Sequence, residues 1–497
     1  MKFKNLLNSL FVISLIILIS SSAISTVMEK KEKNTVEETL IDLPESKNSI
    51  FEINYPRCSN PVILERGCNF TIIFESIEVE DIYVYISTAY EKIVDYFYLN
   101  ISNSDYNNGR YRLTVDLPSD VPEELYNLSV ILIDDSEIYK NTEPRSVEVI
   151  NEFKDDFDFI HITDLHIGDP RGFLESIKET IGYKSVKRCI KEINLLNPDF
   201  VVISGDLVFG QLYFKEYSRE YEKCYEMIQM FDIPTYLLPG NHDGYRRIGE
   251  DGLKFWEEYF GDVYYSFDYG NFHFQAINSY DWPEIYRWSI GPLALTWGGY
   301  IQDDQLEWIE NDLKNNTDSD LTFMLMHHNP IWDTSKDTLI NKGYENREEL
   351  LDLIESYNVD MVLAGHVHYD DVTIQNDTVF LTTTTPESKI EYSDGYWGYR
   401  LVEIEDGNIS SYNYKEPKYS IPSYNIDIKY ESSTSATITN DLEKDISVLV
   451  KFITPKNPYF AVNGTIEKTR ENMLSREYYI EVDVPANSSV NTHLEYI

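Results

Sequence analysis

Hydrophobic and polar residues follow three different patterns along this chain. Residues 48–150 hold short runs in which apolar and polar residues alternate, and turn sequences such as Asn107-Asn108-Gly109 separate the runs. Because no helical period interrupts these runs, the pattern predicts an immunoglobulin-like β-sandwich. Similar short runs return over residues 417–497 and predict a second, smaller β-domain.

Residues 151–416 have a different pattern, in which buried strands alternate with amphipathic helices. The principal predicted strands lie at residues 159–163, 200–204, 236–238, 321–326 and 361–364, and the predicted helices lie at 173–196, 213–230, 253–260, 304–313 and 347–357. This alternation predicts a layered α/β domain, whose ligands collect at the carboxyl ends of the strands. Residues 281–300 are rich in aromatic residues and glycine and predict a long loop, which either serves function or plugs the core.

The first 25 residues have the pattern of a secretory signal peptide. Two early lysines precede an apolar run at residues 10–19, and small residues around Ala23 suit cleavage. We therefore expect a secreted or cell-surface protein. The alternative is an uncleaved membrane tether, because the extended apolar run approaches the ~20 residues that span a bilayer. Residues 26–47 are charged and poor in apolar residues, which predicts a flexible stalk.

The net charge of the chain argues against one class of binding partner. The 497 residues include 42 Lys and Arg against 85 Asp and Glu, which gives a formal net charge of -43. Such a chain repels polyanions at close range, so we expect no nucleic-acid binding. The oligomeric state stays open.

The four cysteines have no metal-ligand spacing. Cys58 and Cys68 flank a turn in the first β region, and export would favour a disulfide between them. Cys189 and Cys224 lie in helical patterns and are expected to be buried thiols. Eight Asn-x-Ser/Thr sequons agree with an exported glycoprotein: Asn69, Asn100, Asn127, Asn315, Asn376, Asn408, Asn463 and Asn487.

Polar side chains follow five of the predicted strands. They are Asp164 and His166, Asp206, Asn241 and His242, His327, and His366 and His368. Residues one position apart after a strand supply a pair of ligands, and Gly240 permits a sharp turn, through a positive φ, before Asn241. Seven ligands hold two cations if Asp206 bridges them. Two cations about 3.5 to 4 Å apart share a hydroxide and clamp an in-line displacement at phosphorus.

These motifs, in the order Asp-x-His, Gly-Asp, Gly-Asn-His-Asp, His and Gly-His-x-His, resemble the calcineurin-like metallophosphoesterase family over residues 158–414. The resemblance implies a four-layer α/β fold, in which helices flank a β-sandwich core, and two divalent ions of manganese, zinc or iron. It implies that one metal is held by Asp164, His166, Asp206 and His368, and the other by Asp206, Asn241, His327 and His366. It also implies that His242 contacts the phosphate and protonates the leaving group, with Asp243 orienting it.

One position departs from part of the family. Purple acid phosphatases, which are similar, place a tyrosine ligand of ferric iron where this chain has Phe209, so we do not expect a tyrosinate-iron site. His161 is expected to be a core residue, whereas His328 either supports the site or is a plain neighbour of it. Asn329 and Tyr369, beside the ligand loops, are weaker candidates for substrate contact.

The resulting hypothesis is an exported dinuclear phosphoesterase, in which a metal-bound hydroxide attacks phosphate mono- or diesters. Asp206, Asn241, His242 and Asp243 are its catalytic candidates. The alternative hypothesis is a cell-surface scaffold protein whose metallophosphoesterase-like domain is idle. Idle members are expected to lose ligands, and none is missing here.

Overall fold

The computed structural model describes residues 51–89, 94–134, 137–169, 176–210, 215–290, 293–331, 344–386, 396–416, 418–471 and 475–497. These residues fall within one structural unit, Glu45–Ile497. The predicted signal peptide and stalk lie outside the described residues. None of the helices in the described part of the chain has the length and apolar character needed to cross a bilayer.

The N-terminal region forms eight strands. They are β1 Ile53–Tyr55, β2 Val62–Glu65, β3 Asn69–Glu75, β4 Asp81–Thr88, β5 Tyr96–Asn107, β6 Arg110–Asp116, β7 Glu124–Asp134 and β8 Glu137–Ile150. Their hydrogen-bonded order is β1-β3-β6-β5-β4-β7-β8-β2. The long strand β5 pairs with β4 through its first residues and with β6 through its last, so it passes from one sheet to the other around a shared core. The predicted short strands are present, and the immunoglobulin-like class of this domain stays a prediction.

The described residues of the next region form strands β9 to β24 and six α-helices. The strands are β9 Phe157–Ile162, β10 Phe200–Ser204, β11 Thr235–Leu238, β12 Arg246–Arg247, β13 Glu250–Asp251, β14 Tyr265–Tyr269, β15 Phe272–Ala276, β16 Ser289–Ile290, β17 Leu293–Ala294, β18 Leu321–Leu325, β19 Met361–Ala364, β20 Asp371–Gln375, β21 Thr378–Thr382, β22 Gly398–Glu405, β23 Asn408–Ser411 and β24 Ile421–Pro422. The helices are α1 Ile181–Leu196, α2 Glu216–Ile228, α3 Asn241–Gly244, α4 Gly252–Phe260, α5 Asp303–Asn315 and α6 Arg347–Ser356.

Two six-stranded sheets form the centre of this region. Their orders are β11-β10-β9-β22-β23, with β24 beside β22, and β14-β15-β18-β19-β21-β20. Alternate residues of β10 point to opposite faces. Phe200 packs against Phe274 of the other sheet, with ring centroids 5.3 Å apart, whereas Val201 joins the core beneath α1 and α2. Helices α5 and α6 cover the outer face of the second sheet. The domain therefore has four layers, with helices outside two stacked sheets.

The C-terminal region forms two small sheets. Its strands are β25 Ile426–Ser432, β26 Ser435–Asn440, β27 Ile446–Pro455, β28 Tyr459–Val462, β29 Thr465–Glu471, β30 Ser475–Val484 and β31 Ser488–Tyr496. The sheet orders are β25-β26-β31-β28 and β27-β30-β29. Val450 and Ile480 of this region belong to the same buried cluster as Val186 and Ile193 of α1, so the predicted second β-domain packs on the first helix of the α/β domain.

The predicted disulfide between Cys58 and Cys68 is wrong, because both residues are free thiols. Cys58 is fully buried at the junction with the α/β domain, where its carbonyl accepts a hydrogen bond from Thr235 and its N–H donates to Glu143. Cys68 is exposed. The two thiols therefore lie in different environments, one buried at the junction and one exposed to solvent. Cys189 and Cys224 are buried thiols, as predicted.

Candidate metal centre

All seven predicted metal ligands meet at one edge of the two sheets. Strands β9, β10 and β11 are parallel in the first sheet, and β18 and β19 are parallel in the second. Each of the five strands ends within a few residues of its ligands, so the two sheets bring their carboxyl ends together. His368 Nε2 lies 3.0 Å from Asp164 Oδ1, and His166 Nε2 lies 3.4 Å from Asp206 Oδ2. On the other side, the His327 and His366 rings have centroids 5.2 Å apart.

The backbone of these loops is held in a conformation that side chains normally avoid. Five ligands have left-handed φ angles of 43° to 74°, namely Asp164, His166, Asp206, His366 and His368. Each such residue costs roughly 1–3 kcal/mol, so the surrounding structure must hold it. The Asp164 N–H donates to the Gly205 carbonyl at 3.0 Å, and the His166 N–H donates to the Asp206 carbonyl at 2.9 Å. Backbone strain is therefore concentrated in the loops whose side chains converge on the candidate site.

Gly240 is needed for close approach, and the positive φ expected for it is wrong. Its φ is -107°, which any residue adopts. A Cβ atom at Gly240, however, would lie 2.2 Å from Asp206 Oδ1. Gly205 meets both conditions, because its φ is 90° and a Cβ atom there would lie 2.7 Å from His327 Nδ1. Both glycines therefore let two ligand loops touch.

The donor set suits a cation. His327 Nδ1 lies 2.8 Å from the Ser204 carbonyl oxygen, so this nitrogen carries the hydrogen and Nε2 presents a lone pair. That lone pair faces Asp206 Oδ2 and Asn241 Oδ1, each 3.2 Å away. Nearby, Asp164 is buried and its Oδ1 faces His368 Nε2 at 3.0 Å. Carboxylate, amide and imidazole acceptors that converge in one buried site form a donor set that suits a divalent metal ion.

The electrostatics agree with this interpretation. Burial opposes protonation of His327, but the carboxylates of Asp206 and Asp164 raise its pKa to about 9. The two carboxylates that raise this pKa would equally attract a cation bound beside His327. Burial raises the pKa of Asp206, yet His327 and His242 hold it well below its usual range, so the central carboxylate stays ionised.

The ligand atoms fall into overlapping groups. Each group has its ligand atoms within 4.8 Å of one another, and the groups are Asp164–His166–His368, Asp164–Asp206–His327, His166–Asp206–His242 and His327–His328–His366. The first contains three of the four ligands predicted for one metal. Asp206 Oδ2 lies 3.4 Å from His166 Nε2 and 3.2 Å from His327 Nε2, which is the position expected of a ligand shared by the two predicted sets.

His242 is oriented by a backbone carbonyl. Its Nδ1 lies 2.6 Å from the Phe209 carbonyl oxygen, and its ring stacks on the Phe209 ring at 5.4 Å. Nδ1 therefore carries the hydrogen, and Nε2 is available to accept or donate a proton. Burial, opposed by Asp206, lowers the pKa of His242 to about 4.

Asp243 does not orient His242, which corrects the sequence-based expectation. Its carboxylate instead accepts hydrogen bonds from the N–H groups of Gly240, Leu207 and Val208, at 2.9 to 3.2 Å. Asp243 therefore joins the loop after β11 to the loop after β10. The hydrogen-bond acceptor for His242 is instead the backbone carbonyl of Phe209. A phenylalanine in the sequence does not indicate that its carbonyl oxygen has this role.

Tyr245 is a supporting residue that the sequence analysis missed. Its buried hydroxyl accepts a hydrogen bond of 2.7 Å from Asn241 Nδ2, which leaves Asn241 Oδ1 facing His327. The available signal was the i, i+4 spacing from Asn241 in a segment rich in glycine and polar residues, which is too common to single out a partner.

The remaining candidates have structural partners. His161 is buried as predicted and contacts the Ser204 and Thr383 hydroxyls, at 2.6 and 2.8 Å. Asn329 donates to Thr382 at 3.0 Å, whereas Tyr369 is 38% exposed beside the ligand loop. His328 supports the site through contacts described below.

Comparisons with known proteins agree with this geometry. The family model for calcineurin-like phosphoesterases matches residues 157–370. A probable glycerophosphodiester phosphodiesterase from Arcobacter nitrofigilis is 28% identical over 235 residues, which cover 46% of this chain and 79% of the relative. A probable cyclic nucleotide phosphodiesterase from Synechococcus sp. is 27% identical over 252 residues, covering 50% and 88%. A 3′,5′-cyclic-nucleotide phosphodiesterase from Nostoc sp. is 27% identical over 219 residues, covering 42% and 70%.

Proposed function

Because this chain carries a calcineurin-like phosphoesterase domain and is a metal-dependent phosphoester hydrolase, we propose that it cleaves phosphodiesters with two divalent metal ions. The preference for diesters rests on the relatives, whose names describe glycerophosphodiester and cyclic-nucleotide phosphodiesterases. The preference for two metals rests on the convergence of seven candidate ligands and on Asp206 Oδ2, which lies 3.4 Å from His166 Nε2 of one set and 3.2 Å from His327 Nε2 of the other.

In this proposal, each ligand set holds one ion. Asp164, His166, Asp206 and His368 form the first set, and Asp206, Asn241, His327 and His366 form the second. Bound divalent ions supply a water molecule of lowered pKa and neutralise charge on the phosphoryl oxygens. The left-handed loops keep the ligands in place, so little reorganisation accompanies the reaction.

His242 is the proposed proton donor. The Phe209 carbonyl fixes the hydrogen on Nδ1, so a second proton can reside only on Nε2. The low pKa of His242 keeps the ring neutral in the free protein, and a phosphate anion beside Nε2 favours its protonated form. His242 then gives the Nε2 proton to the departing oxygen.

The proposal depends most on the contacts of His327, whose Nε2 lies 3.2 Å from Asp206 Oδ2 and 3.2 Å from Asn241 Oδ1. We expect chelator-treated protein to regain hydrolysis of bis(p-nitrophenyl) phosphate with Mn²⁺, Zn²⁺ or Fe²⁺. Asp206→Asn should lose about 100-fold or more of this activity and retain less metal, because it weakens both sets. Metal analysis and initial rates measure the two effects.

His273→Gln is the matched control, because it also changes a buried polar residue of the same domain but lies outside the ligand sets. It should keep both metal and activity. An Asp206→Asn protein with full metal content and full activity would refute the proposal. Metal retention by the wild-type protein without turnover of mono- or diesters would instead favour the idle scaffold.

We also propose that the protein acts outside the cytoplasm, secreted or at the cell surface. The support is the basic and apolar pattern of residues 1–25. The intact mass of the protein purified from its native cells distinguishes a cleaved from a tethered N-terminus. A cytoplasmic, full-length protein would contradict the proposal.

A further inference from the structure

The described residues of the predicted long loop, 281–290 and 293–300, contact residues that adjoin the candidate metal ligands. Its ends are paired by a bridge between Tyr280 and Tyr300, and the rings of Trp282 and Tyr300 stack at 4.7 Å. Strands β16 and β17 form a hairpin within it. The Tyr280 hydroxyl lies 3.1 Å from the Thr296 carbonyl, so the returning arm of the loop is bound to the strand end that precedes it.

His328 attaches this loop to the metal ligands. Ser279 Oγ accepts hydrogen bonds from the N–H groups of His327 and His328, so its own hydrogen points to His328 Nδ1 at 2.9 Å. His328 Nε2 therefore carries a hydrogen and donates it to the Trp297 carbonyl at 2.8 Å. The His328 ring packs on His366, with centroids 4.4 Å apart. His328 therefore contacts both Trp297 and the candidate metal ligand His366.

Trp297 is exposed although its backbone is held firmly. It is 51% exposed, and Leu293 and Leu295 of the same arm are 65% and 43% exposed. Three exposed apolar side chains within five consecutive residues, on an arm whose backbone is bound to His328, are candidates for a ligand surface. An indole ring offers a flat face on which planar groups stack.

The charges of the loop indicate what it would bind. Arg287 is the one cation within residues 281–300, and it is buried and paired with Asp251 at 2.8 Å. Arg246, beside the loop, is paired with Glu284. The described part of this surface therefore offers apolar area without a free positive charge, which suits an uncharged group and disfavours a second phosphate.

We propose that Trp297, positioned by His328, contacts the organic group that stays on phosphorus and selects phosphodiesters in which this group is planar and uncharged. The inference rests on the proposed phosphodiesterase function. The subsite lies on the His366 side of the centre, whereas the proposed proton donor His242 packs against His166, with ring centroids 4.9 Å apart. The leaving group and the retained group are therefore placed on different sides.

Two esters that share a leaving group test the inference. Thymidine 5′-(p-nitrophenyl phosphate) and methyl p-nitrophenyl phosphate each carry one negative charge and release p-nitrophenolate. Trp297→Ala should lower kcat/KM for the thymidine ester about 10-fold, mainly through KM, and change the methyl ester less than 2-fold. Ile285→Ala is the control, because Ile285 is 68% exposed on the same loop but lies outside the arm that carries Leu293, Leu295 and Trp297. It should change neither ester.

His328→Gln tests the positioning role. It should reduce the preference for the thymidine ester and also accelerate hydrogen exchange at the amides of residues 295–297, a change that simple loss of a substrate contact would not cause. Equal losses for both esters in Trp297→Ala would overturn the inference and leave the proposed function standing.

A binding measurement decides the subsite even without turnover. Methyl thymidine 5′-phosphate should bind the metal-loaded wild-type protein about 10-fold more tightly than Trp297→Ala. Equal affinities would overturn the inference. If the wild-type protein binds this ester as expected but hydrolyses no phosphodiester, the proposed function fails and the subsite remains supported.

Discussion

Tyr245 decides which atom of Asn241 faces the other ligands. A side-chain amide has an oxygen acceptor and a nitrogen donor of nearly equal shape, and only the oxygen binds a cation. Asn241 Nδ2 donates to the Tyr245 hydroxyl at 2.7 Å, which turns Oδ1 toward His327. We expect Tyr245→Phe to weaken binding of the second metal about 10- to 100-fold, because the amide loses the partner that orients it.

Calorimetric titration of the metal-free protein with Mn²⁺ measures this loss. Tyr236→Phe is the control, since the hydroxyl of Tyr236 is also buried but bonds to the Pro61 carbonyl at 3.2 Å. Unchanged affinity in Tyr245→Phe would show that Asn241 needs no external support.

At the residue scale, the sequence predicted which side chains meet but not how they are held. The order of the motifs predicted that these candidate ligands meet, because each follows a strand with a clear apolar run. The left-handed backbone at Asp164 and Asp206 could not be predicted, since local propensity opposes it and tertiary hydrogen bonds impose it. For the same reason the Phe209 carbonyl, which any residue could supply, was missed in favour of Asp243.

At the scale of elements, His273 joins β15 to α5 and to β14. Its ring contacts Asp268 of β14 at 2.8 Å and Asp312 of α5 at 2.9 Å. Burial opposes its charge, but the hydrogen bonds to these carboxylates raise its pKa from 6.5 to about 9. A pKa raised in the folded state gives stability that is complete below pH 6.5 and is lost as pH rises toward 9.

We therefore expect the free energy of unfolding to fall by roughly 2–3 kcal/mol between pH 6 and pH 9.5 from this group. Urea denaturation across that range measures the change, and His273→Gln should flatten the profile. An equally steep profile in the variant would assign the dependence to other groups.

Strand positions were predicted from apolar runs, but the pairing of strands was not. β22 lies antiparallel beside β9, more than two hundred residues earlier in the chain, with Leu401 opposite Ile160. The spacing of hydrophobic residues predicts which face of a strand is buried. It does not predict which strand, distant in sequence, pairs with it. The family resemblance, rather than the residue pattern, supplied the expectation of two stacked sheets.

At the scale of the whole molecule, the N-terminal domain covers the edge of the first catalytic sheet. β11 is the edge strand, and the Leu237 N–H donates to the Ser59 carbonyl at 2.9 Å. The same carbonyl accepts a hydrogen bond from the Tyr265 hydroxyl at 2.8 Å. Cys58 and Ser59 thus act as a cap for an edge that would otherwise expose unpaired backbone groups. Because β11 leads directly to Asn241, the cap also supports the metal centre.

Arg145 is a buried link in this junction. It is 1% exposed, and its guanidinium donates to the carbonyls of Phe231 and Ile233 and to the Thr235 hydroxyl. Arg145→Met would remove the guanidinium donor from these buried acceptors, at a cost of about 1–3 kcal/mol for each lost hydrogen bond, so we expect the free energy of unfolding to fall by roughly 2–4 kcal/mol. The urea midpoint of the full chain, followed by tryptophan fluorescence, measures the effect.

Arg112→Met, on the exposed face of β6, is the matched control and should change the free energy of unfolding by less than about 0.5 kcal/mol. Since the Arg145 contacts lie immediately before β11, the weakened junction should also lower metal retention in moderate urea before the protein unfolds globally. Metal release that coincides with global unfolding in both variants would show that the centre is held by the α/β domain alone, with the N-terminal domain adding only to overall stability.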